Sequence, residues 1–180
     1  IESIGKVETL DFDGPSGFNE NTQKPAEDKS AWTSYPAECL VGCSWSEAIS
    51  NEIGQSVAYE ASKSGISGWY APGVNLHRPN YNGRNYEYYS EDPVISGKLA
   101  AATIMGAKSG GLYCYLKHFA LSEEGDNTKG VDTWITEQNF REIYPKPFEI
   151  AVKAGPTPTL TAYNRTRAGR AGATYRPRTK

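Results

Sequence analysis

The 180-residue sequence predicts an α/β protein built on a parallel sheet, and three observations point that way. Short apolar runs of strand length alternate with longer helical patterns from Ile66 to Tyr163. Such alternation favours βαβ crossovers between parallel neighbours. The segments leaving the strands are long and polar, about 20 residues, whereas those returning from helix to strand are short. Long loops at the C-terminal ends of parallel strands are where both barrels and open doubly wound sheets place their ligand sites. Loop position alone therefore leaves the choice between those two folds open.

The elements follow in order. Ser44 and Glu47 have capping-box spacing, and Trp45, Ile49, Ile53 and Val57 recur every four residues. That pattern predicts an amphipathic helix from about Ser46 to Lys63, closed near Gly65. Ile66 to Ala71 reads as a short buried strand ending at Pro72-Gly73. A long loop follows to Asp92, where Asp92 as N-cap and Pro93 in the first turn start a second helix. Its small-residue face (Ser96, Leu99, Ala100, Thr103, Ile104, Ala107) suits close packing, and Gly110-Gly111 ends it. Leu112 to Leu116 predicts a strand, and Lys117 to about Ile135 a second polar loop. Glu137 to Ala154 is helical but carries Pro145 and Pro147, which split or kink it. Leu160 to Tyr163 reads as the next strand.

Composition sets bounds on function. The net charge of −2 hides an asymmetry: Arg165 to Lys180 holds six positive residues and no acidic one, leaving a body of net charge −8. An acidic body argues against nucleic-acid binding along an extended positive surface. The basic end, residues 166–180, is expected to be a flexible or aberrant tail. No run of 18 apolar residues exists, so no membrane span is expected. No leader-like apolar run follows Ile1, which gives cytoplasmic location as the expectation. Cys39, Cys43 and Cys114 lack the further ligands a zinc site needs and are expected to be buried and structural. No metal or organic cofactor is expected. Tyrosine is the commonest aromatic residue, with 12 copies, and its apolar face and hydroxyl together suit sugars and interfaces.

Several groups can carry chemistry. Lys117 and His118 stand at a strand exit and supply a strong donor and a ring nitrogen of either polarity. The first long loop carries His77-Arg78 and then Arg84, whose fork can hold a carboxylate or a vicinal diol. Glu87, Glu91 and Asp92 equally suit a local ion-pair network holding that loop together. Asp13, in the Asp13-Gly14-Pro15 turn, reads either as an Asx turn or as an acceptor for ligand hydroxyls. No phosphate-binding glycine loop, dinucleotide fingerprint, zincin motif or nucleophile elbow is present.

Taken together, six runs resemble the N-terminal barrel domain of family 3 glycoside hydrolases, the β-glucosidase group. They are Asp13-Gly14-Pro15 with Gly17; Ala71 to Arg78; Gly83 to Glu87 with Ser90 to Pro93; Lys117 to Ala120; Glu137 to Tyr144 with Pro147-Phe148; and Thr161 to Arg165. They lie in the family's order from about Asp11 to Arg165. The resemblance implies a partial (β/α)8 TIM barrel over residues 1–165 and retaining hydrolysis of terminal β-linked glucose or a related sugar. It implies that Asp13, Arg84, Lys117 and His118 hold sugar hydroxyls, with Tyr86 or Trp69 packing around them.

The same resemblance implies which residues to look for in vain. The family's nucleophile is an aspartate in a Ser-Asp-Trp-like run, which this sequence lacks, and its acid/base comes from beyond the barrel. No residue here is therefore expected to be catalytic. Ser122 to Lys129 and the stretch after Arg165 both depart from the family pattern. The implied partners are a carbohydrate substrate, the remainder of the barrel and a following α/β domain. A non-catalytic carbohydrate-binding module and a structural or interaction fragment are the alternatives. With an unpaired parallel edge, the isolated chain is expected to be poorly soluble or partly molten.

Overall fold

In the computed structural model, residues 4–5, 8–19, 32–167 and 169–171 are described. Four successive parallel segments make one wall. β1 (Asp11–Asp13) pairs with β2 (Gly68–Tyr70), and β2 pairs with β3 (Tyr113–Cys114). β4 (Leu116–Phe119) continues the line of β3 past Tyr115 and pairs with β6 (Thr159–Thr161). A parallel bridge between Gly73 and Lys117 ties the two sheets together. The wall therefore runs in chain order, β1, β2, β3/β4, β6. A doubly wound sheet reverses direction at a switch point, whereas a (β/α)8 barrel adds each strand beside the last. The chain has this partial barrel fold, and no closed barrel forms among the described residues.

Among the described residues five α-helices pack along the chain: α1 (Glu38–Cys43), α2 (Glu47–Ser64), α3 (Pro93–Ser109), α4 (Glu137–Glu142) and α5 (Lys146–Ala154). The Asp92 carboxylate caps α3, accepting from the Val94 and Ile95 amides at 2.7 and 2.8 Å. Pro145 and Pro147 do separate two helices, α4 and α5. α2 and α3 approach closely because Gly54 and Gly106 face each other's backbone. A Cβ on Gly54 would lie 2.2 Å from the Thr103 carbonyl oxygen, and one on Gly106 2.1 Å from that of Asn51.

Three expectations need correction. The cap of α2 is Ser46, whose Oγ accepts from the Ile49 amide, while Ser44 closes α1 by donating to the Val41 carbonyl. The row spaced by four is not the buried face either. Trp45 and Ile49 are exposed, Ile53 is half-buried and only Val57 is buried. A spacing of four overshoots the 3.6-residue turn by about 40° per step, so the row spirals from solvent to core. Of the cysteines, only Cys114 is buried. Cys39 is half-buried and Cys43 exposed, both on the short α1.

The wall has two unlike faces. Phe12, Trp69, Cys114 and Leu116 point to the helices and join Val57, Leu99, Ile104 and Phe148 in the core. The alternate residues Asp11, Asp13, Tyr70, Tyr113, Tyr115 and Lys117 line the other face. There the Asp11 carboxylate accepts from the Tyr113 and Tyr115 hydroxyls at 2.6 and 2.8 Å. Tyr70 stacks on Tyr115 with centroids 4.7 Å apart. Gly68 makes room for this cluster, since a Cβ there would sit 2.4 Å from Asp11 Oδ1.

A smaller sheet stands where β4 and β6 exit. β5 (Asp132–Thr133) pairs in parallel with β7 (Arg165–Thr166), and β7 pairs antiparallel with β8 (Gly169–Arg170). The expected boundary between residues 165 and 166 falls inside β7. Residues 172–180 of the basic tail lie outside the described residues. No helix among the described residues is long and apolar enough to cross a membrane.

Candidate functional site

The site forms at the C-terminal edge of the wall, where strand ends and two long loops converge. Lys117 sits within β4, one pleat beyond Tyr115, so its side chain leaves the polar face. Its Nζ donates to Asp13 Oδ1 at 2.8 Å and lies 3.3 Å from Glu87 Oε2. Asp13 ends β1, and its Oδ1 also accepts from the Gly14 amide at 2.8 Å. Trp69 props this turn from the core side by donating its indole N–H to the Gly14 carbonyl at 2.9 Å.

The first long loop brings Arg84 and Glu87 over the strand ends, through a 3-10 turn at Asn85–Glu87. Arg84 donates from Nε to Glu87 Oε1 and from a terminal nitrogen to His118 Nε2 at 2.9 Å. Because an arginine only donates, Nε2 of His118 is the accepting nitrogen and Nδ1 carries the proton. That Nδ1–H is 3.2 Å from the Tyr88 hydroxyl. Burial, with the neighbouring Arg84 and Lys117 charges, pushes the imidazole down to about 2, so it stays neutral.

The four residues singled out in the sequence thus come together in one chain of contacts with Glu87 as the bridge, in the order Asp13, Lys117, Glu87, Arg84, His118. Two cations and two carboxylates alternate, so the buried charges are paired. Lys117 and Glu87 are covered, with side-chain exposures of 3% and 5%, whereas Asp13 is 51% and Arg84 29% exposed. The exposed members, joined through Lys117 and Glu87, offer an acceptor and a fork of donors, the two kinds of group that hydroxyl-rich ligands need. Both ring nitrogens of His118 are already engaged, which makes it a support for Arg84 in the free protein. Tyr86 is exposed on the 3-10 turn and Trp69 is buried packing. Arg78 points elsewhere, with its guanidinium over the Tyr144 ring and Nε donating to that hydroxyl at 3.3 Å.

Several residues in and around the site were not assigned to it from sequence. Glu87 is the central bridge of the site, while Asp92 of the same run serves only as the α3 cap. Glu38, buried on α1, accepts from the Gly73 amide at 3.1 and 3.2 Å. Burial lifts its carboxyl well above the ordinary range, although Lys117 and the Gly73 bond pull the other way. Asn75 and Glu123 form a further layer beneath His118. Burial raises Glu123 to about 7 against the opposing bonds from the Leu76 amide and Asn75. Among the described residues no group of acidic, histidine and cysteine side chains is placed to hold a metal.

A parallel wall laid down in barrel order, with polar and charged groups gathered at its C-terminal edge, defines part of a (β/α)8-barrel protein. Comparison with known proteins makes the assignment specific. The family description "Glycosyl hydrolase family 3 N terminal domain" matches residues 26–174. The chain is 38% identical over 165 residues to β-glucosidase A of Butyrivibrio fibrisolvens, covering 91% of this chain and 19% of that protein. It is 33% identical to an exo-α-(1→6)-L-arabinopyranosidase of Bifidobacterium longum, covering 92% and 23% respectively. Among solved structures, β-glucosidase 3B from Thermotoga neapolitana in complex with glucose superposes with a TM-score of 0.86 at 34% identity, covering 95% of this chain and 24% of that one. The chain belongs to the glycosyl hydrolase family 3 N-terminal domain family. It spans about a fifth of the length of the curated relatives it matches.

Proposed function

We propose that this chain supplies the sugar-gripping wall of a β-glucosidase-type hydrolase that releases terminal β-linked glucose or a related sugar with retention. The observation that carries this reading is the Asp13–Lys117–Glu87–Arg84–His118 network at the strand ends. It presents Asp13 and Arg84 outward on a rigid, fully paired base. Preorganised groups of this kind can tighten on a ring as it distorts toward the transition state. Retaining hydrolysis also needs a nucleophilic carboxylate and an acid about 5 Å apart. Glu87 is committed to Lys117 and Arg84 and is not such a nucleophile. The bond-breaking pair comes from the remainder of a barrel and a following α/β domain.

A two-part experiment tests this reading. Methyl β-glucoside titrated into the chain should bind weakly and saturably, and Arg84→Ala should abolish binding while the circular dichroism spectrum is retained. Nitrophenyl β-glucoside should not be turned over. Turnover by the purified chain would contradict the assignment of the reacting carboxylates to other segments. Equal binding by wild type and Arg84→Ala would contradict the site itself.

A further inference from the structure

We propose that Asn75 is the positioning residue that fixes His118, and that Glu123 holds the Asn75 amide in the one orientation that can do so. Asn75 is 1% exposed and grips the His118 backbone from both sides. Its Oδ1 accepts from the His118 amide at 2.8 Å, and its Nδ2 donates to the His118 carbonyl at 3.1 Å. A flipped amide would set donor against donor and oxygen against oxygen at both contacts. Glu123 Oε1 lies 3.3 Å from the same Nδ2 and also accepts from the Leu76 amide, and a carboxyl oxygen so engaged accepts whether the group is ionised or protonated on its other oxygen, so it selects the NH2 end.

Glu123 is itself held in place. Its Oε1 accepts from the Leu76 amide at 3.3 Å, and its backbone carbonyl accepts from Asn82 at 2.9 Å. Asn82 in turn accepts from the Arg84 amide at 3.0 Å. The clamp therefore joins both long loops to the base of the site. With the His118 backbone fixed, its ring meets Arg84 at Nε2 and Tyr88 at Nδ1, and Arg84 is aimed from behind. Only the last step, from an aimed Arg84 to sugar affinity, rests on the proposed function.

The test uses the ring nitrogens, because the chain has just two histidines and their NMR correlations separate readily. In wild type, His118 should show one neutral form protonated at Nδ1. In Asn75→Ala both tautomers should be populated, and affinity for methyl β-glucoside should fall roughly threefold to tenfold. Asn75→Asp keeps the acceptor and loses the donor, so it should lie between the two. Glu123→Gln retains an acceptor and should preserve the tautomer, whereas Glu123→Leu should not. Glu123→Leu also serves as the test if Asn75→Ala fails to fold. An unchanged single tautomer in both Asn75→Ala and Glu123→Leu would overturn the clamp. A tautomer change in a chain that binds no sugar even as wild type would support the clamp and reject the sugar site.

Discussion

The two faces of the β wall are built from alternate residues of the same short strands, yet they obey opposite rules. The helix-facing side is apolar and fully covered, and its members contribute mainly by area removed from water. On the other side, Asp11 is satisfied by two tyrosine hydroxyls and Lys117 by two carboxylates, so each polar group there depends on a named partner. Burial of a charge costs several kcal/mol unless it is paired. The polar face therefore has more to lose from a single mismatched substitution than its small area suggests. It also keeps Asp13 and Arg84 open at its edge. One face holds the fold, and in the proposed function the other is the one that meets the ligand.

Substitutions can break that contrast. The largest effect is expected on the apolar face: Phe12→Ala should destabilise the chain by about 4 kcal/mol, read from urea unfolding. Sugar binding by the fraction that remains folded should be little changed. Lys117→Met should cost about 3 kcal/mol, because Glu87 and Asp13 lose their shared cation, and it should also abolish binding. Equal loss of binding in both variants would mean that the faces are not separable.

The most gradual effect concerns pH. Glu123 is raised to about 7 in the folded chain. Its contribution to stability is therefore present below its unfolded value and is lost as pH rises through 7. His118, lowered to about 2, acts oppositely, since its contribution is present above pH 6.5 and is lost on acidification. Between about pH 4.5 and 6.5 the two oppose each other. Glu123→Gln removes one of them, so its stability relative to wild type should rise by up to about 1.4 kcal/mol per pH unit from pH 4.5 to 7. A constant difference across that range would place Glu123 at an ordinary carboxylate value.

Much of the fold was legible where signals were long and local. α3 announced itself through Asp92-Pro93 and its small-residue face, and Pro145 and Pro147 marked the break between α4 and α5. β1 went unread because three residues carry little periodicity, although apolar Leu10 and Phe12 do alternate with Asp11 and Asp13. α1 has six residues and no side-chain cap, so nothing marked its start. Within the site, Asp13, Arg84, Lys117 and His118 were found because they stand in runs that resemble a family. Glu87 was seen only as a local network residue, since its bridge to Lys117 spans 30 positions and exists only once the loop folds over β4. Asn75 grips a backbone 43 positions away, and no local pattern marks such a contact.

Chemical-shift mapping during a glucoside titration tests the two-face contrast most directly. The perturbed amides should cluster at residues 13–17, 84–88 and 117–123, at the C-terminal edge of the polar face. Perturbations centred instead on the exposed apolar side chains Leu40, Trp45 and Ile49 of the helical layer would contradict it.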